Sequence, residues 1–239
     1  PGGPHCLKYG ITVNHVLGLE VVTGAGELVR LGGKTHERPG YDLTGVMVGA
    51  EGTLGLITGV IVRLTHLPES VKTILASFPT IEDASETVSA IIRAGIIPAA
   101  LEMLDEVVIR AIEEGIHAGY PKGAGAVLLI ELDGPAAEIE AQAGPIEAIS
   151  RDHLALEIRV ARSEAERALL WKGRKEAVGV FGRLTPNWLL QDAVVPRSRL
   201  PEIMRELQAI GARHGVVIAN VFHAGDGNLH PLICYDDQK

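Results

Sequence analysis

The segment VKTILASFPTIEDASETVSAII, residues 71–92, sets the pattern for most of the chain. Its first eight residues, Val71–Phe78, are mainly β-branched or apolar, which favours a strand. Thr80, with Asp83 three residues later, is a helix-start signal, and apolar residues then recur at helical spacing. These are Ala84, Val88, Ile91 and Ile92. The segment therefore predicts a strand followed by an amphipathic helix, which the next glycine and proline terminate.

Strands and helices continue to alternate along the rest of the chain. Further strands are predicted at 126–132, 156–160, 189–195 and 216–222, and further helices at 104–116, 136–149, 163–174 and 200–213. The second of these helices is weaker because Gly144-Pro145 interrupts it, whereas Ser163 opens the third with a Ser-x-x-Glu capping box. This alternation predicts an α+β sandwich in which helices cover one face of a sheet.

The first part of the chain has a different pattern. Short β-branched runs are separated by glycine, and Leu19–Val22 and Leu28–Leu31 flank a glycine-containing turn. This arrangement is typical of paired strands, and a third run of the same kind spans Leu54–Leu64. We therefore predict a β-rich layer with few helices before Pro68.

The composition of the 239 residues excludes several classes of protein. Hydrophobic residues make up 46% and charged residues 22%, which is typical of a globular protein and not of a disordered chain. The formal net charge of −8 would repel nucleic-acid phosphates over most of the surface. Two cysteines exclude a disulfide framework and favour a reducing compartment. No apolar run reaches the ~20 residues that span a bilayer, which leaves a peripheral membrane contact open.

The termini favour a piece of a longer protein. The chain starts Pro1-Gly2-Gly3-Pro4, with neither an initiator methionine nor a signal-peptide pattern, and it stops just after an apolar, motif-rich segment. We therefore expect this sequence to be the middle of a longer protein.

The sharpest chemical signal is HAGDGNLH, residues 223–230, which lies between two apolar segments. A loop at the end of a strand is where binding groups are commonly presented. His223 and His230 are able to hold a divalent transition metal, with Asp226 or a residue outside this sequence as a further ligand. The alternative is a Gly-Asp-Gly-Asn turn between two incidental histidines, because this spacing is not a fixed metal signature.

The second signal is GAEGTLGLIT, residues 49–58. Closely spaced glycines let backbone N–H groups approach a phosphate or a flat ring system. The segment lacks the Gly-Lys-Ser/Thr ending of a P-loop and the βαβ surroundings of a dinucleotide-binding fingerprint. The alternative is that its glycines serve only the turns of the β-rich layer.

The third signal is Arg174, within WKGRK at 171–175. A guanidinium is able to hold a substrate carboxylate in a bidentate pair, and the alternative is a solvated arginine on a helix face. The same two alternatives, a functional role and a structural role, stay open for the hydroxyl of Thr185 and the carboxylate of Asp192. No G-x-S-x-G elbow or catalytic cysteine context supports acyl transfer.

Taken together and in order, these segments resemble the FAD-linked oxidase family, in the branch that contains the glycolate oxidase flavin subunit and FAD-linked D-lactate dehydrogenases. The matching stretches are GGPHCLKYG (2–10), HVLGLEVV (15–22), GYDL (40–43), GAEGTLG (49–55), WKGRK (171–175) and NVFHAGDGNLH (220–230). The resemblance covers nearly the whole chain. It implies the C-terminal half of a β-rich, vanillyl-alcohol-oxidase-like FAD-binding domain at residues 1–67. A truncated α/β-sandwich substrate domain follows at residues 68–239.

The resemblance also implies roles for individual residues. The flavin of FAD is expected to be lined by Gly2, Gly3, Glu51, Gly52, Thr53 and Ile57. Arg174 is similar to the arginine that clamps the substrate carboxylate, and Asn228 stands where a substrate contact is expected. His223 and His230 resemble the ligands of a divalent metal (zinc, manganese or iron) in the metal-dependent members, and His230 is also expected to take part in catalysis.

The chain departs from the family pattern at several points. A glycine-rich half that cradles the pyrophosphate would precede Pro1, and a Gly-Glu-His motif with another metal ligand and a candidate base would follow Lys239. Ala50 stands where the family often has serine, and Leu190 where some relatives place a lysine near the substrate. That lysine contact is therefore in doubt.

The resemblance implies FAD-dependent oxidation of a small D-2-hydroxy acid, of the glycolate or D-lactate type, to the 2-oxo acid by hydride transfer to the flavin. The expected partners are this substrate and additional oxidase subunits. The expected location is cytoplasmic, with a peripheral contact to the inner membrane left open. Two alternatives stay open. One is a non-catalytic fragment that binds a metal or a partner subunit, and the other is a family member with different substrate chemistry, such as an ether-lipid synthase relative.

Overall fold

The computed structural model describes residues 3–35, 40–183 and 185–237. These residues form two compact units. The first consists of the described part of Pro1–Gly3 together with Tyr9–Leu67, and the second of Pro4–Lys8 and the described part of Pro68–Lys239. A short helix, α1, spans Cys6–Tyr9.

The first unit is a three-stranded antiparallel sheet with one short helix. Its elements are a 3-10 helix (Thr12–His15), β1 (Val16–Val22), β2 (Leu28–Gly32), α2 (Leu43–Met47) and β3 (Leu56–Val62). Strand β1 is central and pairs with both others. The Asp42 carboxylate caps α2 by accepting a hydrogen bond from Gly45 N at 3.0 Å. The small core lies on β1 and α2, because six of the seven residues of β3 are exposed.

The second unit is built on a nine-stranded sheet. Its strands are β4 (Ser70–Phe78), β5 (Ala100–Asp105), β6 (Ala126–Gly134), β7 (Glu157–Val160), β8 (Asn187–Leu190), β9 (Ala193–Val194), β10 (Val217–His223), β11 (Asn228–Leu229) and β12 (Pro231–Tyr235). Its helices are α3 (Ile81–Arg93), α4 (Glu106–Gly115), α5 (Ala136–Asp152), α6 (Glu164–Val180) and α7 (Leu200–His214). The strand order is β7-β4-β6-β5-β10-β11-β9, with β12 between β10 and β8. All these pairings are antiparallel, and the α+β class is confirmed.

Helices cover both faces of this sheet, so the expectation of helices on one face is wrong. Alternate residues of β4, β5, β6 and β10 contribute to two separate buried cores. Helices α3, α5 and α7 contribute to one core, whereas α4 and α6 contribute to the other. Strands covered on both faces are apolar without alternation, as the run Ala126–Ile130 shows. Among the described residues, no helix is long and apolar enough to cross a membrane.

Three of the differences from the sequence-based predictions concern β5, the predicted strand 189–195 and α5. The predicted helix 104–116 is preceded by the unpredicted strand β5 and starts at Glu106, after the Asp105 cap. The predicted strand 189–195 is two short strands, β8 and β9. Helix α5 runs unbroken through Pro145, since burial of Ile139, Ala143 and Ile146 offsets the ~3 kcal/mol that an interior proline costs.

Candidate active site

A fully buried carboxylate, that of Glu102 on β5, lies at the centre of the site. The antiparallel register of β5 and β10 places Glu102 directly opposite His223. Side chains of directly opposed residues are close neighbours in an antiparallel sheet. The Glu102 side chain is 0% exposed, and a buried charge of this kind requires hydrogen-bonded partners of opposite charge.

Arg174 supplies the opposite charge from helix α6. Its Nε donates to Glu102 Oε2 at 2.7 Å, and its Nη2 lies 2.5 Å from the same oxygen. The Arg174 side chain is 12% exposed, so the alternative of a solvated arginine on a helix face is wrong. Helix α6 begins where expected, because Ser163 Oγ accepts from Glu166 N and the Glu166 carboxylate accepts from Arg162 N.

His223 is the second partner of Glu102. Its Nδ1 lies 2.9 Å from Oε1 and 2.8 Å from Oε2 of the carboxylate. A carboxylate only accepts hydrogen bonds, so we assign the ring proton to Nδ1. Arg174 Nη2 lies 3.3 Å from the same Nδ1, but two donors do not bond each other. This assignment leaves the lone pair of His223 on Nε2.

Asn228 is fixed at the tip of the loop by β11, which pairs with both β9 and β10. Its Nδ2 donates to Asp192 Oδ1 at 2.6 Å and lies 3.4 Å from Ala193 O. Because both neighbours of this position are hydrogen-bond acceptors, the amide group is oriented with its nitrogen at this position and its oxygen on the other side. The Asn228 Oδ1 is therefore buried with no hydrogen-bond partner among the described residues.

His230 lies beside His223, with the two rings edge to face and their centroids 5.1 Å apart. Burial, followed by the neighbouring His223, lowers the pKa of His230 below its ordinary value. Its Nδ1 is 3.6 Å from Asp192 Oδ1, which is too long for a hydrogen bond. His230 is therefore a neutral imidazole at neutral pH.

The two histidines supply two neighbouring imidazoles, the donor type that a divalent transition metal takes in proteins. The contact of His223 Nδ1 with Glu102 is the carboxylate–histidine arrangement typical of metal ligands. Among the described residues, however, no three His, Cys, Asp or Glu side chains are grouped so as to hold a metal ion. Asp226 does not complete such a set with the histidines, and its Oδ1 accepts from Asn228 N at 3.2 Å.

Gly227 sets the shape of the loop. It has φ +77°, and a Cβ on it would lie 2.1 Å from Val195 O. We predict that Gly227→Ala lowers the free energy of unfolding by about 3 kcal/mol or more, because backbone strain and this overlap add. Gly215 is a matched control, with φ +67° and open space around its Cβ position. Gly215→Ala should cost only ~1–2 kcal/mol; equal losses in urea unfolding would contradict the overlap.

The comparison with known protein families decides the assignment. Residues 67–239 match the family described as FAD linked oxidases, C-terminal domain. The chain belongs to this family.

The sequence relatives of this chain are consistent with its membership of the FAD-linked oxidase family. It is 44% identical over 235 residues to the glycolate oxidase subunit GlcD of Escherichia coli K12, covering 98% of the chain and 47% of that protein. It is 35% identical over 241 residues to a probable mitochondrial D-lactate dehydrogenase of Danio rerio, covering 98% of the chain and 48% of that protein. The chain therefore spans about half the length of these relatives.

Solved structures share the fold of this FAD-linked oxidase chain. An alkyldihydroxyacetonephosphate synthase structure matches with a TM-score of 0.71 at 17% identity, covering 98% of the chain and 48% of that chain. A p-cresol methylhydroxylase structure matches with a TM-score of 0.72 at 13% identity, covering 95% of the chain and 52% of that chain. These likenesses concern the fold.

The residues expected to line a flavin lie in the first unit. Gly2 is outside the described residues, and Gly3 is half-buried. Glu51, Gly52 and Thr53 form an exposed turn closed by a hydrogen bond from Thr53 N to Ala50 O at 2.9 Å, and Ile57 is 39% exposed on β3. Glu51 adopts φ +50°, which is uncommon outside glycine and signals local strain.

The sequence motifs identified Arg174, His223, Asn228 and His230 but missed Glu102. The signal for Glu102 was a single glutamate within the apolar run AALEMLD, residues 99–105, since a charged residue between buried ones needs a partner.

Thr185 is structural, since its Oγ1 donates to Tyr235 O at 2.7 Å.

Proposed function

We propose that the protein containing this chain oxidises a small D-2-hydroxy acid, of the glycolate or D-lactate type, to the 2-oxo acid with FAD as the electron acceptor. The names of the relatives support this substrate class. The observation that carries the proposal is the buried Glu102–Arg174–His223 cluster beside Asn228 and His230. Bound FAD supplies the two-electron acceptor chemistry, and the side chains described here bind and orient the substrate and take its proton.

Arg174 binds the substrate carboxylate in this proposal. Its Nε and Nη2 are held by Glu102, and its Nη1 has no hydrogen-bond partner among the described residues. A largely desolvated cation on a fixed guanidinium attracts a carboxylate more strongly than a solvated one. Because the arginine is already immobilised, little further side-chain entropy is lost on binding.

Asn228 and His230 meet the requirements of the substrate hydroxyl. The unpartnered Asn228 Oδ1 needs a donor, and an O–H group supplies one. As the hydride leaves Cα and the C=O bond forms, the hydroxyl proton must pass to a base. In the absence of a metal, the neutral His230 is such a base. A divalent cation, if bound, would instead occupy the lone pairs of His223 and His230 and lower the pKa of the hydroxyl, and the proton would then pass to a group other than His230.

The turn of Glu51, Gly52 and Thr53, with Gly2, Gly3 and Ile57, is proposed to line the flavin. Its exposed backbone and positive φ angles at Glu51 and Gly52 support this, because such turns present N–H groups to a ligand. We also propose additional oxidase subunits as partners, since the Escherichia coli relative is named as a subunit. A cytoplasmic location fits the two free cysteines.

Anaerobic reduction of the flavin tests the proposed function. We predict that glycolate or D-lactate bleaches the visible flavin absorption of the flavin-loaded protein, because each supplies both a carboxylate for Arg174 and an oxidisable hydroxyl. L-Lactate and D-lactamide are matched controls, since one has the opposite configuration and the other lacks the carboxylate. D-Lactamide should reduce the flavin at least about 100-fold more slowly, the cost of a lost charged contact. L-Lactate should also be slower, because with its carboxylate on Arg174 its hydroxyl and Cα hydrogen exchange positions. A flavin that no 2-hydroxy acid reduces would contradict the proposal.

A further inference from the structure

We propose that Glu102 is a positioning residue that acts on both sides of the reaction. It holds the Arg174 guanidinium, and it fixes the His223 tautomer so that the Nε2 lone pair faces away from the carboxylate. A single buried carboxylate would thus link the group that binds the substrate to the imidazole pair beside it.

The predicted effect of Glu102 on the reaction rate rests on the proposed function. The predicted effect on the His223 tautomer does not, because a tautomer is measured without turnover.

The two oxygens of Glu102 are used unequally. Both arginine contacts converge on Oε2, at 2.7 Å from Nε and 2.5 Å from Nη2. Oε1 has one hydrogen-bond contact among the described residues, with His223 Nδ1 at 2.9 Å, and the same Nδ1 lies 2.8 Å from Oε2. Oε2 therefore serves both the arginine and the histidine, whereas Oε1 serves only the histidine.

This division predicts what an amide would do in place of the carboxylate. In Glu102→Gln the amide oxygen must face Arg174, because a guanidinium has only donors. The amide NH2 group then takes the place of Oε1, 2.9 Å from His223 Nδ1, where it opposes the Nδ1 proton. We expect the imidazole to move its proton to Nε2 and accept from the amide, so the lone pair leaves the side on which a proton or a cation would be accepted.

A second buried glutamate offers a matched control. Glu131 lies on β6 on the same face of the sheet, and its Oε2 accepts from Trp171 Nε1 at 2.5 Å and from Thr73 Oγ1 at 2.8 Å. Trp171 precedes Arg174 by three residues, or about one turn of α6. In Glu131→Gln the amide oxygen is able to accept both hydrogen bonds. This variant therefore changes a buried carboxylate against the same helix without altering a partner of His223.

The experiment combines nitrogen NMR with flavin reduction. With 15N-labelled histidine, the wild-type His223 ring should show the proton on Nδ1, and Glu102→Gln should move it to Nε2. A His223→Asn variant assigns the signal. Glu131→Gln should leave the tautomer unchanged.

The kinetic arm should show a split between kcat and KM. Glu102→Gln should slow flavin reduction at saturating D-2-hydroxy acid by about 10- to 100-fold, the range for losing the partner that orients an active-site histidine. Its KM should change only a few-fold, because Arg174 keeps its acceptor. Glu131→Gln should change neither value.

Three outcomes would overturn the inference. The first is an unchanged tautomer in Glu102→Gln, and the second is a raised KM with an unchanged kcat, which would limit Glu102 to holding Arg174. The third is a Glu131→Gln variant that slows flavin reduction as much as Glu102→Gln does, which would mean that both glutamates only hold helix α6 in place. If no 2-hydroxy acid reduces the wild-type flavin, the proposed function fails, and the NMR arm still decides the role of Glu102.

Discussion

Arg174→Lys is expected to lower kcat/KM for the 2-hydroxy acid by about 30- to 1000-fold, mainly through KM. Lysine keeps the charge but loses the planar fork that serves Glu102 and a substrate at once. A single ammonium would remain with the buried carboxylate, and the substrate carboxylate would lose its partner. The estimated loss of ~2–4 kcal/mol in transition-state binding corresponds to that range.

Lysine is a better test than alanine at this position. Arg174→Ala would leave Glu102, which is 0% exposed, as an uncompensated buried charge, and that costs ~3–5 kcal/mol of stability. Loss of activity would then be mixed with unfolding. Retained flavin and an unchanged unfolding midpoint show that the lysine variant is folded.

Two controls make the Arg174 prediction specific. Arg199→Lys changes an exposed arginine that pairs with Glu202 on the surface, and it should have no measurable effect on turnover. D-Lactamide lacks the carboxylate and is oxidised slowly by the wild-type protein. Arg174→Lys should therefore leave the rate of D-lactamide oxidation unchanged. A lysine variant that keeps wild-type kcat/KM for the acid would refute the carboxylate clamp.

The local elements that carry strong signals were predictable from sequence. The Thr80 side chain accepts from Asp83 N at 3.1 Å, and α3 occupies Ile81–Arg93 with its apolar stripe in the core. The capping box at Ser163 likewise opens α6. In both cases the side chain that starts the helix is adjacent in sequence to the residues it caps, so no tertiary information is needed.

Strand β5 was missed because the apolar pattern does not change where the strand ends. Residues 99–116 contain no internal glycine or proline before Gly115, so a helical period is compatible with much of the run. Asp105 marks the boundary, since its Oδ1 accepts from Val108 N at 3.0 Å. An aspartate before a periodic segment is a helix-start signal that could have placed β5.

The motif residues were identifiable, but their arrangement was not. Glu102 and His223 are 121 residues apart, and they meet only because β5 pairs with β10 in one register. Strand order in a sheet is a tertiary property that local patterns do not determine. The same holds for the helices on both faces, although continuous apolar strands were a signal for them.

The second large effect is expected from Asp105, on stability and its pH dependence. The carboxylate caps α4, and its Oδ2 also accepts from Asn220 N at 2.6 Å and Asn220 Nδ2 at 3.0 Å. Burial raises the pKa of Asp105 from 3.8 to about 6 despite these hydrogen bonds. The folded protein therefore binds this proton more tightly than the unfolded chain does.

The sign of the effect follows from that difference. Below about pH 4 both states are protonated and the stabilisation from the bound proton is complete. As the pH rises towards 6, the unfolded chain loses its proton first, so the free energy of unfolding falls, by about 3 kcal/mol in total. Above the folded-state pKa this contribution is lost.

Asp105→Asn should remove this pH dependence and also lower stability at pH 5. The amide oxygen is able to accept from Asn220, but the NH2 group would then face Val108 N, which costs the helix cap ~1–2 kcal/mol. Urea unfolding followed by tryptophan fluorescence between pH 4 and 7 measures both effects, because Trp171 and Trp188 lie in the second unit. Asp152→Asn, at an exposed position on α5, should keep the wild-type slope. A slope that persists in Asp105→Asn would assign the titration to another group.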